Sequence, residues 1–399
     1  MGRLKLLIFG ILLVCLCNTN IVYADNGHWK KDSIGYYYQY ENGTYAKSKW
    51  IKENNIWYYI KSNGYMAIGW NKIGNYEYYF TKSGKLETNK WISGRYYVDK
   101  DGRYLYGLKS NNIKTRYKLQ TYQTANSLQN LSSDWSSFII ATDFHTPRNN
   151  NGSQAIINYL LSNIPNLNCF LLGDFNGGSD NSTGKHFSKY IGSLENRSKI
   201  YVTLGNHDMN TNKKLMYNTL LKNKNIIGNP EQFYYYFDDS NNKIRYLIIN
   251  TSNSNKSTNQ MSDVELEWLK TAIKLPNKSW SVVILGHHDI DINANLPYTN
   301  KSATEITNII SKCNGKIVGY FCGHEHIDNQ TLVNKKFYQN VFYSDCLNVN
   351  QKWRKYGSIN DQCITIVSVN SKTGQVKINR IGVTSKIKNY NYKTLKIEN

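Results

Sequence analysis

Hydrophobic and polar positions change rhythm twice along the chain. An unbroken apolar run follows Arg3 and Lys5 at the start. Residues 26–109 then alternate short aromatic stretches with turn residues such as "SNG" and "KSG". From Ser136 onward apolar runs of strand length recur, and each ends in a charged or histidine-bearing loop. These runs are "FIIATDFH", "NCFLLGDFN", "KIYVTLGNHD", "SVVILGHHD" and "VGYFCGHEH". Between the later ones, "SDVELEWLKTAI" and "KSATEITNIIS" carry apolar residues at helical spacing. Ser262 with Glu265, and Ser302 with Glu305, have the spacing of a capping box. Strands alternating with helices predict an α/β domain.

The first segment, residues 1–24, predicts a signal peptide cleaved after Ala24, because a basic start and an apolar run precede the small-residue site "VYA". The run is short for a membrane span. An uncleaved anchor is the alternative, and in both cases the remainder is expected outside the cytoplasm. Cys15 and Cys17 belong to this segment, but Val14 and Leu16 before them are not the small residues of a lipoprotein site. Cys169, Cys313, Cys322, Cys346 and Cys363 remain. Their odd number and their place in apolar runs predict buried thiols rather than a disulfide framework.

In the aromatic region tryptophan recurs at Trp29, Trp50, Trp70 and Trp91, and Gly43, Gly64 and Gly84 follow the first three at a constant offset. Each unit reads as a β-hairpin. A lone hairpin cannot bury its face, so the hairpins must stack into a solenoid. The second unit, "KWIKENNIWYYIKSNGYMAIGW", resembles the choline-binding, or cell-wall-binding, repeat of Gram-positive surface proteins. The resemblance covers about four units, residues 25–109. It implies an aromatic cage for a quaternary ammonium group, attracted to ring faces, and points to Trp50, Trp57, Trp70 and Tyr79. Choline and a glycan both stay open as ligand. The Trp57 position holds Tyr36 in the first unit and Glu77 in the third, and the fourth unit has a shortened turn. Residues 110–135 read as a linker with a weakly helical segment, and residues 136–399 as the α/β domain.

The five strand ends carry the candidate chemistry. Six of the eight histidines lie there, together with Asp143, Asp174, Asn206 and Asp208. In "GHEH" the spacing of His324 and His326 excludes the His-Glu-X-X-His helix of zinc proteases. Residues two apart on a strand point the same way, and by that alternation Glu325 points away. Imidazole and carboxylate without thiolate suit Mn, Fe or Zn.

This order of motifs resembles the calcineurin-like metallophosphoesterase family. The resemblance implies a four-layer sandwich, two mixed β-sheets flanked by helices, here preceded by the hairpin solenoid. It implies two metal ions: one on Asp143, His145 and His326, the other on Asn206, His287 and His324, with Asp174 bridging. Either histidine of "GHHD" can be the ligand; the resemblance favours His287 over His288. It further implies hydrolysis of phosphate esters by a metal-bridging hydroxide, with His207 facing the leaving group and Asp208 holding the His207 ring. Arg148 reads first as a surface charge, with a grip on phosphate as the alternative. No tyrosine follows "GDFN" at the position that marks purple acid phosphatases, and the tail is short for a 5′-nucleotidase.

Net charge is +21, which favours anionic partners. The basic residues are scattered rather than clustered, so nucleic acid is not expected as a specific partner. The expected protein is thus secreted and wall-associated. It takes a teichoic acid, choline or glycan through the repeats and hydrolyses phosphate esters, diesters foremost. A monoesterase that scavenges phosphate, and an adhesin with an inactive domain, are the alternatives; every motif position is filled, which favours an enzyme.

Overall fold

The computed structural model describes residues 27–74, 76–93, 96–104, 113–146, 152–176, 183–209, 213–254, 256, 259–346, 353–355 and 357–398. The expected signal segment and Arg148 lie outside the described residues. Among the described residues no helix is long and apolar enough to cross a membrane. The chain divides into two compact units, Met1–Lys109 and Ser110–Asn399.

The first unit is a series of hairpins: β1 (Gly27–Lys31) with β2 (Tyr36–Tyr40), β3 (Lys49–Glu53) with β4 (Ile56–Ile60), β5 (Gly69–Ile73) with β6 (Tyr76–Phe80), and β7 (Lys90–Ile92) with β8 (Tyr96–Val98). After the second strand of the first three hairpins the chain turns through Gly43, Gly64 or Gly84, all at positive φ (82°, 88° and 79°). That conformation is open to glycine at little steric cost, which explains the regular offset. The returning segment then bonds the hairpin before it: Met66 N–H to Tyr36 O, Leu86 N–H to Trp57 O and Tyr104 N–H to Glu77 O. Tyr36, Trp57 and Glu77 differ as side chains, yet each offers the same backbone carbonyl, so the repeat tolerates the change.

The second unit begins with α1 (Thr115–Gln129), which packs on the helix Gly152–Asn163 and the strand Gln375–Gly382 of the same unit. Its first sheet runs β11 (Ile200–Thr203), β10 (Asn168–Leu172), β9 (Trp135–Ala141), β19 (Cys363–Asn370), β20 (Gln375–Gly382), β21 (Tyr390–Asn391), β22 (Lys396–Ile397). Its second runs β12 (Ile227–Asn229), β13 (Tyr234–Asp239), β14 (Ile244–Ile248), β15 (Ser281–Leu285), β16 (Lys316–Cys322), β18 (Phe337–Val341), β17 (Asn329–Val333). Both are mixed: β9, β10 and β11 run parallel to one another in the first, as do β14, β15, β16 and β18 in the second, and the remaining pairs are antiparallel. The sheets meet through fully buried rings. Phe138 of β9 lies edge-on to Tyr246 (5.6 Å) and Phe321 (5.8 Å), while Phe170 stacks on Tyr246 (5.3 Å).

Helices cover the outer faces. Helix α2 (Gly152–Asn163) packs on β10, and α3 (Thr183–Gly192) follows that strand in the chain. On the second sheet, Leu266 and Leu269 of α5 (Asp263–Ala272) and Ile306 and Ile310 of α6 (Ala303–Ile310) join one core with Val282, Ile284 and Tyr320. A short helical turn, α4 (Lys213–Met216), runs on into a π-helical turn at Tyr217–Leu221. The two expected capping boxes form incompletely. Ser262 Oγ accepts the Glu265 N–H at 3.3 Å, but the buried Glu265 carboxyl accepts from Asn250 N–H at 2.6 Å instead of reaching back. Ser302 does not cap its helix; its hydroxyl accepts the Met261 N–H at 3.2 Å and ties α6 to the start of α5. The five cysteines of this unit are free thiols, four buried and Cys313 half-buried.

Candidate metal centre

The parallel strands deliver their loops to one end of the two sheets, the usual place for chemistry in such folds. From the first sheet, β9 leads into Asp143 and His145, β10 into Asp174, and β11 into Asn206, His207 and Asp208. From the second, β15 leads into His287 and His288, and β16 into His324 and His326. The structure brings ligand atoms of Asp143, His145, Asp174 and His326 within 4.8 Å of one another, and it does the same for His287, His288 and His324.

Carboxylates join the groups. Asp174 Oδ2 lies 3.8 Å from His145 Nε2 and 3.3 Å from His287 Nε2. Asp143 Oδ1 lies 3.1 Å from His326 Nε2. Backbone carbonyls orient the rings: His145 Nδ1 pairs with Asn176 O at 3.1 Å and His287 Nδ1 with Leu172 O at 2.7 Å. With Nδ1–H donating outward, each Nε2 faces the carboxylates, which is how metal-binding histidines are held. His145 Nε2 and His326 Nε2 converge to 3.0 Å.

Five of these residues, Asp143, His145, Asp174, His324 and His326, have positive φ, between 42° and 67°. Asp and His visit this region more readily than most residues, yet each such position stores on the order of 1–3 kcal/mol. His324 and His326 therefore do not share a direction through strand alternation. Their chain has left the sheet at Cys322, and two left-handed residues aim the rings. Glu325 between them turns aside, and its carboxylate accepts Tyr298 N–H at 3.0 Å.

Burial alone would raise the Asp143 carboxyl, but the His326 imidazole beside it prevails and holds it at about 2. Burial works against Asp174 in the same way, and His287 holds it well below the usual carboxylate range. Burial also opposes the charged form of His287, but Asp174 outweighs it and lifts the ring to about 9. At His145 and His324 burial outweighs the pull of Asp174 and Asp143 and lowers the rings to about 4 and about 3. Both rings are thus neutral at pH 7, the form that binds a metal, whereas His287 would give up its proton to an ion that took over its pairing with Asp174. Neither nitrogen of the His324 ring has a hydrogen-bond partner, and the buried Asn206 Oδ1 has none either. Unpaired buried polar atoms cost about 1–3 kcal/mol each. The donor set of imidazoles, carboxylates and one amide oxygen, with these atoms bare, fits divalent or trivalent cations of the Mn, Fe and Zn type.

His207 is exposed and lies edge-on to His145 at 5.0 Å, while its backbone N–H donates to Asp174 Oδ1 at 2.9 Å. Asp208 has a different partner set from the one expected. Its Oδ1 accepts from Phe175 N–H (2.9 Å) and Asn176 N–H (3.3 Å), and its Oδ2 from Gly205 N–H (2.9 Å). The carboxylate braces the loop after β10 against the loop after β11 rather than the His207 ring. Sequence reasoning ranked His288 behind His287 as a ligand; it is buried, 4.2 Å from the His324 ring, and its Nδ1 is 3.1 Å from Thr251 Oγ1. Only the doubled histidine in "GHHD" signalled it. Sequence reasoning passed over Thr142, whose hydroxyl donates to Asp143 Oδ2 at 2.8 Å.

The expected aromatic cage divides. Trp50 and Trp57 (6.2 Å) group with Tyr59, Tyr78 and Phe80, and Trp50 and Trp57 both pack on the solenoid core. Trp70 and Tyr79 (5.2 Å) group with Tyr96 and Tyr104. The Lys52 ammonium sits 5.4 Å from the Trp57 ring, directly across the hairpin.

The sequence profile of calcineurin-like phosphoesterases matches residues 136–328, the span of all five strand ends. Profiles of a putative cell wall binding repeat and of the choline-binding repeat match residues 48–66 and 69–104. A lysin of Pneumococcus phage Dp-1 is 45% identical over 47 residues, 11% of this chain and 16% of the lysin. The chain thus spans about a sixth of that relative. Among solved structures, a choline-binding domain from Streptococcus pneumoniae is 35% identical, covering 19% of this chain and 92% of that one, with a TM-score of 0.18. A dimetal phosphatase from Danio rerio is 9% identical, covering 64% of this chain and 98% of that one, with a TM-score of 0.44.

Gly323 passes so close to the phosphoesterase site that an added Cβ would meet Thr142 Oγ1 at 2.1 Å and Asp143 Oδ2 at 2.3 Å. Gly323→Ala is expected to displace the Asp143 carboxylate and weaken Mn(II) binding at least tenfold, measured by isothermal titration on protein whose circular dichroism is unchanged. Affinity equal to wild type would show that Asp143 does not need its present position.

Proposed function

We propose that the chain is a secreted, cell-wall-associated phosphoesterase that hydrolyses phosphate esters, diesters foremost, at a dinuclear metal centre. The observation that supports this most is the meeting of both sheets' strand ends in one buried set of imidazoles and carboxylates, with His324 and Asn206 bare of hydrogen bonds. In this reading Asp143, His145 and His326 hold one ion and Asn206, His287 and His324 the other. Asp174 stands between them, as its distances to His145 and His287 suit. His288 supports the His324 ring from behind. The ions, when bound, polarise phosphate oxygens and lower the pKa of a water.

The chain's own residues do the rest. The carboxylates fix the charge that the centre must match, and the backbone carbonyls of Asn176 and Leu172 keep two imidazoles in one tautomer. His207, exposed beside His145, donates a proton to the leaving oxygen or a hydrogen bond to the phosphate. Asp208 acts one step back, bracing the loops that place Asp174 and His207.

The repeats are proposed to hold the enzyme at the wall through choline groups. The Trp70, Tyr79, Tyr96 and Tyr104 group offers the more open rings, since Trp70 is 37% exposed and cations favour tryptophan faces.

Exhaustive chelation is expected to abolish hydrolysis of bis-p-nitrophenyl phosphate, and Mn, Zn or Fe to restore it. His207→Ala is expected to keep its metal content while turnover falls by about 10²–10⁴-fold; loss of metal in that variant would make His207 a ligand instead. Full-length protein is also expected to bind purified choline-bearing walls and to elute with free choline. Retention that choline does not reverse would assign the repeats to a glycan.

A further inference from the structure

The loop from Gly323 to Asp328 carries two of the proposed ligands on left-handed backbone, and such a loop holds its shape only if its surroundings over-determine it. One end is fixed on the metal centre itself, where His324 N–H donates to Asp143 Oδ2 at 2.9 Å. The other end is Asp328, two residues past His326. The Asp328 side chain is completely buried and pairs with Arg380 of β20 at 3.0 Å, whose side chain is 3% exposed. The pair therefore crosses from the second sheet to the first. Asp328 Oδ1 also accepts Tyr343 N–H at 3.2 Å, and Oδ2 accepts Lys386 N–H at 2.8 Å. The guanidinium lies 5.6 Å from the Phe342 ring.

Stability alone does not account for this pair. Arg380 Nε and Nη1 are buried without a hydrogen-bond partner. Buried ion pairs contribute little net stability even when fully satisfied, and apolar replacements of equal volume are often as stable. A pair this exactingly placed and this poorly satisfied has its use in geometry. Resting on the reading of the site as a dinuclear metal centre, we propose that Arg380 and Asp328 are positioning residues. They clamp the His324–His326 loop to the neighbouring sheet and thereby set the affinity of the centre for its cations. The charge of Arg380 fixes where Asp328 sits, and the short stretch from Asp328 back to His326 passes that position to the imidazole.

The test uses full-length, metal-stripped protein titrated with Mn(II) by calorimetry, with thermal melting of the stripped protein in parallel. Arg380→Met is expected to bind Mn(II) 10–100-fold more weakly, the range seen for partners that orient metal ligands, and to melt at a lower temperature when stripped, because the buried Asp328 carboxylate loses its partner. Arg380→Lys, which keeps the charge, is expected to recover most of the affinity. Should Arg380→Met not yield folded protein, Asp328→Asn carries the test. It keeps an acceptor for Tyr343 N–H, removes the charge facing Arg380, and is expected to show the same weakening. Affinity within twofold of wild type in the variants overturns the clamp, as does a lowered melting point with unchanged affinity. If wild type binds Mn(II) and the variants match it, the clamp alone fails. If wild type binds none, the metal-centre reading fails and the clamp with it.

Discussion

The carboxylate of Asp143 is the point on which the catalytic unit is organised. It is fully buried at the end of β9, where an ionised group is costly unless it is paired and hydrogen-bonded. Its partners come from both sheets: the Thr142 hydroxyl from its own strand end, and the His324 N–H and His326 imidazole from the loop after β16. One buried charge thus obliges two strand ends on different sheets to meet. Asp174 repeats the arrangement with His287. The aromatic layer of Phe138, Phe170 and Tyr246 sets the spacing between the sheets behind them. The left-handed residues are the local consequence, since a chain leaving a strand must turn sharply to aim a short side chain back at the centre.

Much of this was legible in the residue pattern. Apolar runs ending in Asp, Asn and His gave the strands, their common end and the residues that gather there. The tryptophan period gave the hairpins, because a short aromatic unit has few other ways to bury itself. What failed were inferences about which neighbour a polar side chain would choose. Asp208 was read as a partner of the adjacent His207, but three backbone N–H groups compete for its carboxylate and hold it. Ser302 had the spacing of a helix cap, yet its hydroxyl serves Met261 across a loop. In each case spacing along the chain identified a capable group, and a competitor from elsewhere in the fold decided its partner.

The two units combine distinct physical tasks. The hairpins expose rings on a surface built by backbone hydrogen bonds between repeats, so side chains there can vary without loss of the solenoid. The phosphoesterase domain buries its polar groups and holds them in strained positions. In the proposed function the repeats keep that domain near anionic wall polymers, which raises the effective concentration of substrate without any change at the centre. The strong positive charge of the chain acts in the same direction.

The central claim is that Asp174 lies between two cations held by residues of both sheets. Anomalous diffraction from crystals grown with Mn(II) tests it most directly. The account predicts two peaks about 3.5–4 Å apart, one beside Asp143, His145 and His326 and one beside Asn206, His287 and His324, with the Asp174 carboxylate touching both. A single peak, or two that leave Asp174 uncoordinated, would contradict it.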